Sequence, residues 1–177
     1  MEWMLMPLKR YADFSGRSRR MEFWMWILFQ ILIGFGFSIV LFALAGTAAM
    51  SGDPGQMMAV GGIAVIVYFL YVLVGLAFFI PSLAVTVRRL HDTDRSGWWI
   101  MLFWGPYLLV LLSTFVIGAD AAAGGDGMAG GMLALVGGLG ALVGGLVLLV
   151  FMFLEGTKGP NSYGQDPKGG APNQVFA

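Results

Sequence analysis

The chain has 177 residues, of which 58% are hydrophobic and only 11% are charged. Soluble globular domains carry roughly 25% charged residues, so this composition excludes an ordinary soluble domain and predicts an integral membrane protein. Ten basic residues balance ten acidic ones, and the absence of cysteine excludes disulfides, thiol catalysis and thiolate metal ligands. We expect one membrane domain over residues 1–177.

Apolar runs predict an all-α membrane protein with four transmembrane helices, at about 23–46, 57–87, 98–117 and 132–154. The first run is longer than the roughly 7–15 residues of a signal-peptide core, which favours an uncleaved span over a cleaved signal peptide. The preceding "EWMLMPLKRY" mixes apolar and basic residues, which predicts a short N-terminal segment lying in the membrane interface.

The lysines and arginines predict the orientation of these spans. All ten lie in residues 1–22, 88–97 and 155–177. The other loops carry only the acidic residues Asp53, Asp120 and Asp126. We therefore expect both termini to be cytosolic, with a cytosolic tail over 155–177. The low-complexity residues 118–131 are interpreted as a flexible outside loop.

Small residues recur along the fourth run. Gly137, Ala141 and Gly145 are spaced by four, and Gly140 and Gly144 form a GxxxG pair beside them. Such stripes allow another backbone to approach closely in lipid. Either packing within the monomer or a homo-oligomer interface would explain the stripe.

The ionisable residues are concentrated at the predicted cytosolic face. Arginine forms bidentate contacts with phosphate, so this cluster is a candidate site for an anionic lipid headgroup or a phosphorylated ligand. Opposing carboxylates are expected to form a structural network with it. The candidate ligand-binding residues are Arg17, Arg19, Arg20, Arg88, Arg89, His91 and Arg95, and the network carboxylates are Glu22, Asp92 and Asp94.

The stretch "RRLHDTDRSGWW", residues 88–99, also has a structural interpretation. Cations favour a helix C-terminus, Ser96 can cap the next helix, and tryptophans favour the membrane interface. His91 is either a loop histidine held by Asp92, Asp94 or a carbonyl, a ligand contact or pH sensor, or a metal ligand with those two aspartates. A single histidine without an obvious nucleophile does not support catalysis, so we expect no catalytic residue, metal or cofactor.

The tail sequence "EGTKGPNSYGQDP", residues 155–167, is rich in turn formers. Gly156 is expected to end the fourth helix in a left-handed cap. Either the tail folds back on the loop 88–97, which the turn formers favour, or it is solvated.

Three motifs, "GRSRRMEFW", "PSLAVTVRRLHDTDRSGWW" and "EGTKGPNSYGQDP", occur in this order. In combination they resemble the signature of the bacterial inner-membrane family called domain of unknown function 805, over nearly the whole chain. The resemblance implies a small multispan membrane protein and no established activity. Many members have one span's worth of residues between the second and third motifs, so residues 108–145 are interpreted as an insertion that makes two spans.

Three functions are compatible with these patterns. The first is a non-enzymatic membrane protein that binds an anionic lipid or phosphorylated ligand at its cytosolic face. The second is a structural or assembly subunit that docks a membrane or cytosolic partner, or a further copy of itself. The third is a small transporter or channel, which the scarcity of polar residues in the spans disfavours. The basic residues lie at the membrane in short clusters, so no nucleic-acid partner is expected.

Overall fold

The computed structural model describes residues 2–169. Its elements, in chain order, are α1 (Glu2–Lys9), α2 (Arg20–Ser51), α3 (Pro54–Asp92), a 3₁₀ turn (Gly97–Ile100), α4 (Met101–Ala122) and α5 (Met128–Phe153). Within the described residues, extended pairing is limited to one isolated bridge between Asn161 and Gly164. The prediction of an all-α fold is confirmed.

In the described part of the chain, four helical segments are long and apolar enough to cross a membrane, as predicted: α2, α3, the 3₁₀ turn with α4, and α5. Helix α3 has 39 residues. It is about 58 Å long at 1.5 Å per residue, roughly twice the thickness of the hydrocarbon layer. A helix of this length continues beyond the apolar layer, and its end at residues 88–92 carries charged side chains that the hydrocarbon layer would accept only at a high cost.

The connection between α4 and α5 comprises residues 123–127, so helical structure extends into the segment 118–131 from both sides. The carboxylate of Asp120 accepts a hydrogen bond from the Gly127 N–H at 2.6 Å. Gly127 has a φ of 71°, which a glycine adopts without steric cost. These two features close the short turn.

The chain forms two compact units, residues 2–14 with 21–85 and residues 15–20 with 86–169. Within the first unit, the fully buried Trp26 of α2 donates its indole N–H to Ser82 Oγ of α3 at 3.0 Å. Tyr11 donates its hydroxyl to the Ala77 carbonyl oxygen at 2.7 Å. These bonds tie α2 and the segment after α1 to α3. The single membrane domain and the interfacial position of the N-terminal segment stay predictions.

Within the second unit, glycines of α5 pack directly on α4. A Cβ atom at Gly137 would lie 2.8 Å from the Pro106 carbonyl oxygen and 2.9 Å from the Val110 nitrogen. Gly130, Gly137 and Gly144 are all buried, at intervals of seven residues. Of the residues in the predicted stripe, Gly137, Ala141 and Gly144 are buried, and a Cβ at Gly140 would lie 2.9 Å from the Pro106 side chain. Gly145 lies farther from α4, beside the Phe103 ring. Packing within the monomer uses this stripe, and a homo-oligomer stays a prediction.

Adding one methyl group tests the α4–α5 contact. We expect Gly137→Ala to lower the free energy of unfolding by about 1–3 kcal/mol, because the backbone of α4 must move to admit it. Gly138→Ala is the matched control, since a Cβ there meets nothing within 4 Å. Thermal unfolding of both variants in detergent, followed by circular dichroism, measures the difference. Equal midpoints would contradict the packing described.

Candidate functional site

The end of α3 is shaped by the turn that follows it. Arg95 N–H donates to the Leu90 carbonyl oxygen at 3.0 Å, and Asp94 N–H donates to the His91 carbonyl oxygen at 3.0 Å. Asp94 has a φ of 56°, a conformation that aspartate tolerates better than most residues. Ser96 Oγ accepts the Trp98 N–H at 3.2 Å, which confirms the predicted cap.

Three segments of the second unit meet at this turn, and we call residues 15–20, 88–96 and 154–169 the polar clasp. At its centre, Asp92 accepts a hydrogen bond at Oδ1 from Arg17 Nε at 3.0 Å. Its other oxygen, Oδ2, accepts from Arg89 Nη1 at 2.5 Å. The side chains of Arg17, Asp92 and Arg89 are 1%, 5% and 0% exposed. One carboxylate therefore bridges two guanidinium groups that have little contact with solvent.

The remaining donors of both arginines reach backbone carbonyls. Arg17 donates to the carbonyl oxygens of Thr157 at 2.5 Å and Gly159 at 2.7 Å. Arg89 donates to the Leu154 carbonyl oxygen, just beyond the last turn of α5. Two guanidinium groups and one carboxylate together carry one net positive charge. Carbonyl groups at a helix C-terminus carry partial negative charge, so they offset it in part. These two arginines can therefore be buried without destabilising the fold, whereas an unpaired buried charge would destabilise it.

The tail lies on the end of α3, as the turn formers predicted. Thr157 N–H donates to the Asp92 carbonyl oxygen at 2.9 Å. The side-chain amide of Asn161 donates to the His91 carbonyl oxygen at 2.8 Å. The Tyr163 ring stacks on the imidazole of His91, with centroids 3.9 Å apart and planes 6° apart. The prediction of a folded-back tail is confirmed for residues 155–169, and residues 170–177 lie outside the described part of the chain.

A single carboxylate fixes the last turn of the tail. Asp166 accepts the N–H groups of Lys168 at 2.8 Å and Gly159 at 3.1 Å. These backbone donors, that of Lys168 first, hold the pKa of Asp166 below its ordinary value because they stabilise the charged form. The tail is thus closed on itself as well as bound to α3.

Gly156 has a different role from the one we predicted. The positive-φ residues of the described chain do not include Gly156, and the C-cap of α5 is Leu154, so the expectation of a left-handed cap was wrong. A Cβ at Gly156 would overlap the Asp92 carboxylate. Glycine is therefore required here for close approach to the central carboxylate, not for chain reversal.

The other candidate residues of the second unit surround this centre, whereas Glu22 belongs to the first unit. Arg19 donates to the Pro167 carbonyl oxygen, Arg20 donates to the Leu154 carbonyl oxygen at 2.9 Å, and Arg95 donates to the Thr93 carbonyl oxygen at 3.2 Å. Arg88 and Glu22 are buried, whereas Asp94 is exposed. His91 Nδ1 lies 3.2 Å from the Gly16 carbonyl oxygen, which matches the loop-histidine interpretation. Within residues 2–169, His91, Asp92 and Asp94 do not form a group that could hold a metal ion.

The tail residues Thr157, Asn161 and Tyr163 were missing from the candidate set. Their only sequence signal was a tail unusually rich in turn formers, with an amide and an aromatic ring among them. A small cavity of about 90 Å³ lies between the tail and α3. Its lining includes the cations Arg19, Lys158 and Lys168 and the carboxylates Asp92, Glu155 and Asp166. The balance of signs gives this cavity no preference for an anion.

Four apolar spans and a buried polar clasp at one end of the second unit define a multispan membrane protein. The chain belongs to the family described as protein of unknown function (DUF805), whose profile matches residues 11–165. It is similar to inner membrane protein YhaI of Escherichia coli, with 34% identity over 171 residues that cover 97% of this chain and 99% of that protein.

A second Escherichia coli relative, inner membrane protein YhaH, is 33% identical over 168 residues, which cover 95% of this chain and 98% of that protein. A third, uncharacterized protein YiiR, is 32% identical over 159 residues, with coverages of 87% and 85%. No solved structure matches the chain. The family resemblance inferred from the three motifs is confirmed.

Replacing the central carboxylate tests the clasp. We expect Asp92→Asn to lower the free energy of unfolding by about 3–5 kcal/mol, because two buried guanidinium groups would then face a neutral amide. Asp94→Asn is the matched control, since Asp94 is exposed two residues away and should change stability by less than about 0.5 kcal/mol. Thermal unfolding in detergent measures both variants. Similar small effects would contradict a structural role for the buried ion pairs.

Proposed function

We propose that the protein is a non-enzymatic protein of a bacterial inner membrane whose polar clasp lies at the cytosolic face and contacts the headgroups of anionic phospholipids. The observation that carries this proposal is the charge of the clasp, which contains eight lysines and arginines against four carboxylates. Anionic headgroups attract basic residues near a membrane surface by about 1 kcal/mol each. The names of the relatives YhaI and YhaH support the inner membrane as the location.

The cations of the clasp differ in their exposure and in their hydrogen-bond partners. Arg17 and Arg89 are occupied by the protein's own acceptors, so a ligand there would have to displace the tail. The outer cations supply the charge that faces the membrane surface. They include Arg20, whose side chain is 36% exposed, and the exposed Lys158 and Lys168.

The surroundings of His91 support a non-enzymatic role. One face of the imidazole stacks on Tyr163, and Nδ1 lies near a backbone carbonyl oxygen rather than a nucleophile. A general base has to lie within hydrogen-bond reach of the proton that it removes. The described neighbours of His91 therefore support a packing role for this side chain rather than a role in proton transfer.

The second candidate function is a structural or assembly subunit that docks a membrane or cytosolic partner. The observation in its favour is that the clasp is held by internal hydrogen bonds, from Arg17 to Gly159 and from Asn161 to His91, and so offers a fixed surface. A transporter or channel has less support, because the predicted spans contain one amide, Gln30, and no charge near their centres.

Lipid selectivity tests the proposed function. We expect the purified protein to bind phosphatidylglycerol more tightly than phosphatidylcholine, because only the first carries net negative charge. The preference should weaken as salt rises from 50 to 500 mM (roughly a threefold shorter screening length), because exposed charges are screened. Native mass spectrometry of the protein in detergent with each lipid measures the retained molecules. Equal retention of the two lipids at low salt would contradict the proposal.

A further inference from the structure

Arg95 differs from the other arginines of the clasp in how its guanidinium is used. Arg17, Arg19, Arg20 and Arg89 all donate to carbonyls of α5 or the tail. The guanidinium of Arg95 donates one N–H to the Thr93 carbonyl oxygen, and among residues 2–169 this is the single hydrogen-bond acceptor of that side chain. Since a guanidinium has five donors, most of its donors remain available for a ligand.

An aromatic ring holds Arg95 in place. Its guanidinium carbon lies 4.2 Å from the centroid of the Phe151 ring, a cation–π contact. The same ring meets Trp99 edge to face, with centroids 5.3 Å apart and planes 87° apart. Phe151 therefore holds both the Arg95 guanidinium and the Trp99 indole, which limits the conformational entropy that these side chains lose when a ligand binds.

An open groove begins at the residue after Arg95. It has a volume of about 270 Å³ and is lined by Ser96, Trp98, Trp99 and Leu102. The side chain of Trp98 is 78% exposed, although a tryptophan has a large apolar surface that is usually buried against other side chains. Ser96 Oγ accepts the Trp98 N–H, so its own hydroxyl proton is free to donate to a ligand oxygen.

We infer that Arg95, Ser96 and this groove bind one anionic glycerophospholipid. The phosphodiester binds to the guanidinium, whose planar donors match two phosphate oxygens. Ser96 donates to an ester oxygen, and the first part of an acyl chain lies along Trp98 and Leu102. Arg95 directly precedes Ser96, which lines the groove, so the cation and the tryptophan-lined apolar groove follow one another along the chain. This order matches that of the headgroup and the acyl chain in a phospholipid. This inference rests on the proposed function and assigns it a defined site.

Paired variants of the full-length protein in detergent test the site, with phosphatidylglycerol as the probe. Arg95→Gln and Lys168→Gln remove the same charge from the clasp, but only Arg95 is the chain neighbour of Ser96, which lines the groove. We expect Arg95→Gln to weaken the binding of phosphatidylglycerol about tenfold more than Lys168→Gln does. Native mass spectrometry measures the bound lipid in both variants. Trp98→Ala should likewise weaken binding more than Leu108→Ala, which removes a lipid-exposed side chain outside the groove.

The outcomes separate this inference from the proposed function. If Arg95→Gln and Lys168→Gln cause equal losses, and Trp98→Ala matches Leu108→Ala, the defined site is overturned while diffuse attraction to anionic lipid stands. If Arg95→Gln does not fold, the comparison of Trp98→Ala with Leu108→Ala decides. If inorganic phosphate displaces the lipid at an equal concentration, the assignment to a lipid is overturned. Wild-type protein without preference for phosphatidylglycerol over phosphatidylcholine would overturn the proposed function itself.

Discussion

The polar clasp depends on one carboxylate placed between two buried guanidinium groups. Asp92 ends the long helix α3, Arg17 precedes α2, and Arg89 lies one turn before Asp92. A buried cation is costly unless it is paired and its other donors are satisfied. One carboxylate cannot neutralise two arginines, so the carbonyls at the end of α5 and in the tail are needed as well. The tail therefore completes the electrostatics of the site, and its turn-rich sequence follows from that requirement.

This constraint separates two uses of arginine that look alike in the sequence. The inner arginines are donors to the protein itself, and their hydrogen bonds define how the segments meet. Arg95 and the exposed lysines retain capacity for other acceptors. We therefore propose that anionic lipid binds to this protein through its exposed cations and through the apolar groove that follows Arg95 in the chain. His91, for which the sequence left several roles open, is a stacking partner for Tyr163.

Much of the fold was predictable from the sequence, because length and hydropathy suffice to locate membrane helices. The lysines and arginines predicted one common side for residues 15–20, 88–96 and 154–169, and the turn formers of the tail favoured its contact with the end of α3. The contacts within the clasp were not predictable. The partners of Arg17 and Arg89 include backbone carbonyl groups. Since every residue has a backbone carbonyl, the sequence does not indicate which residues provide these acceptors. Gly156 was misinterpreted for a related reason: a steric requirement set by distant Asp92 looks, in the sequence, like an ordinary helix terminator.

A double-mutant cycle on Arg17 and Asp92 tests whether this buried ion pair holds the clasp together. Its readout is the hydrogen exchange of the backbone amides in residues 154–169. The cycle compares Arg17→Gln, Asp92→Asn and the double variant with the wild type. The account predicts a coupling free energy of about 2 kcal/mol or more, and faster exchange of the tail in both single variants, because each removes the same buried pair. Additive effects, with a tail that exchanges at the wild-type rate in the single variants, would show that the pair does not hold the clasp together.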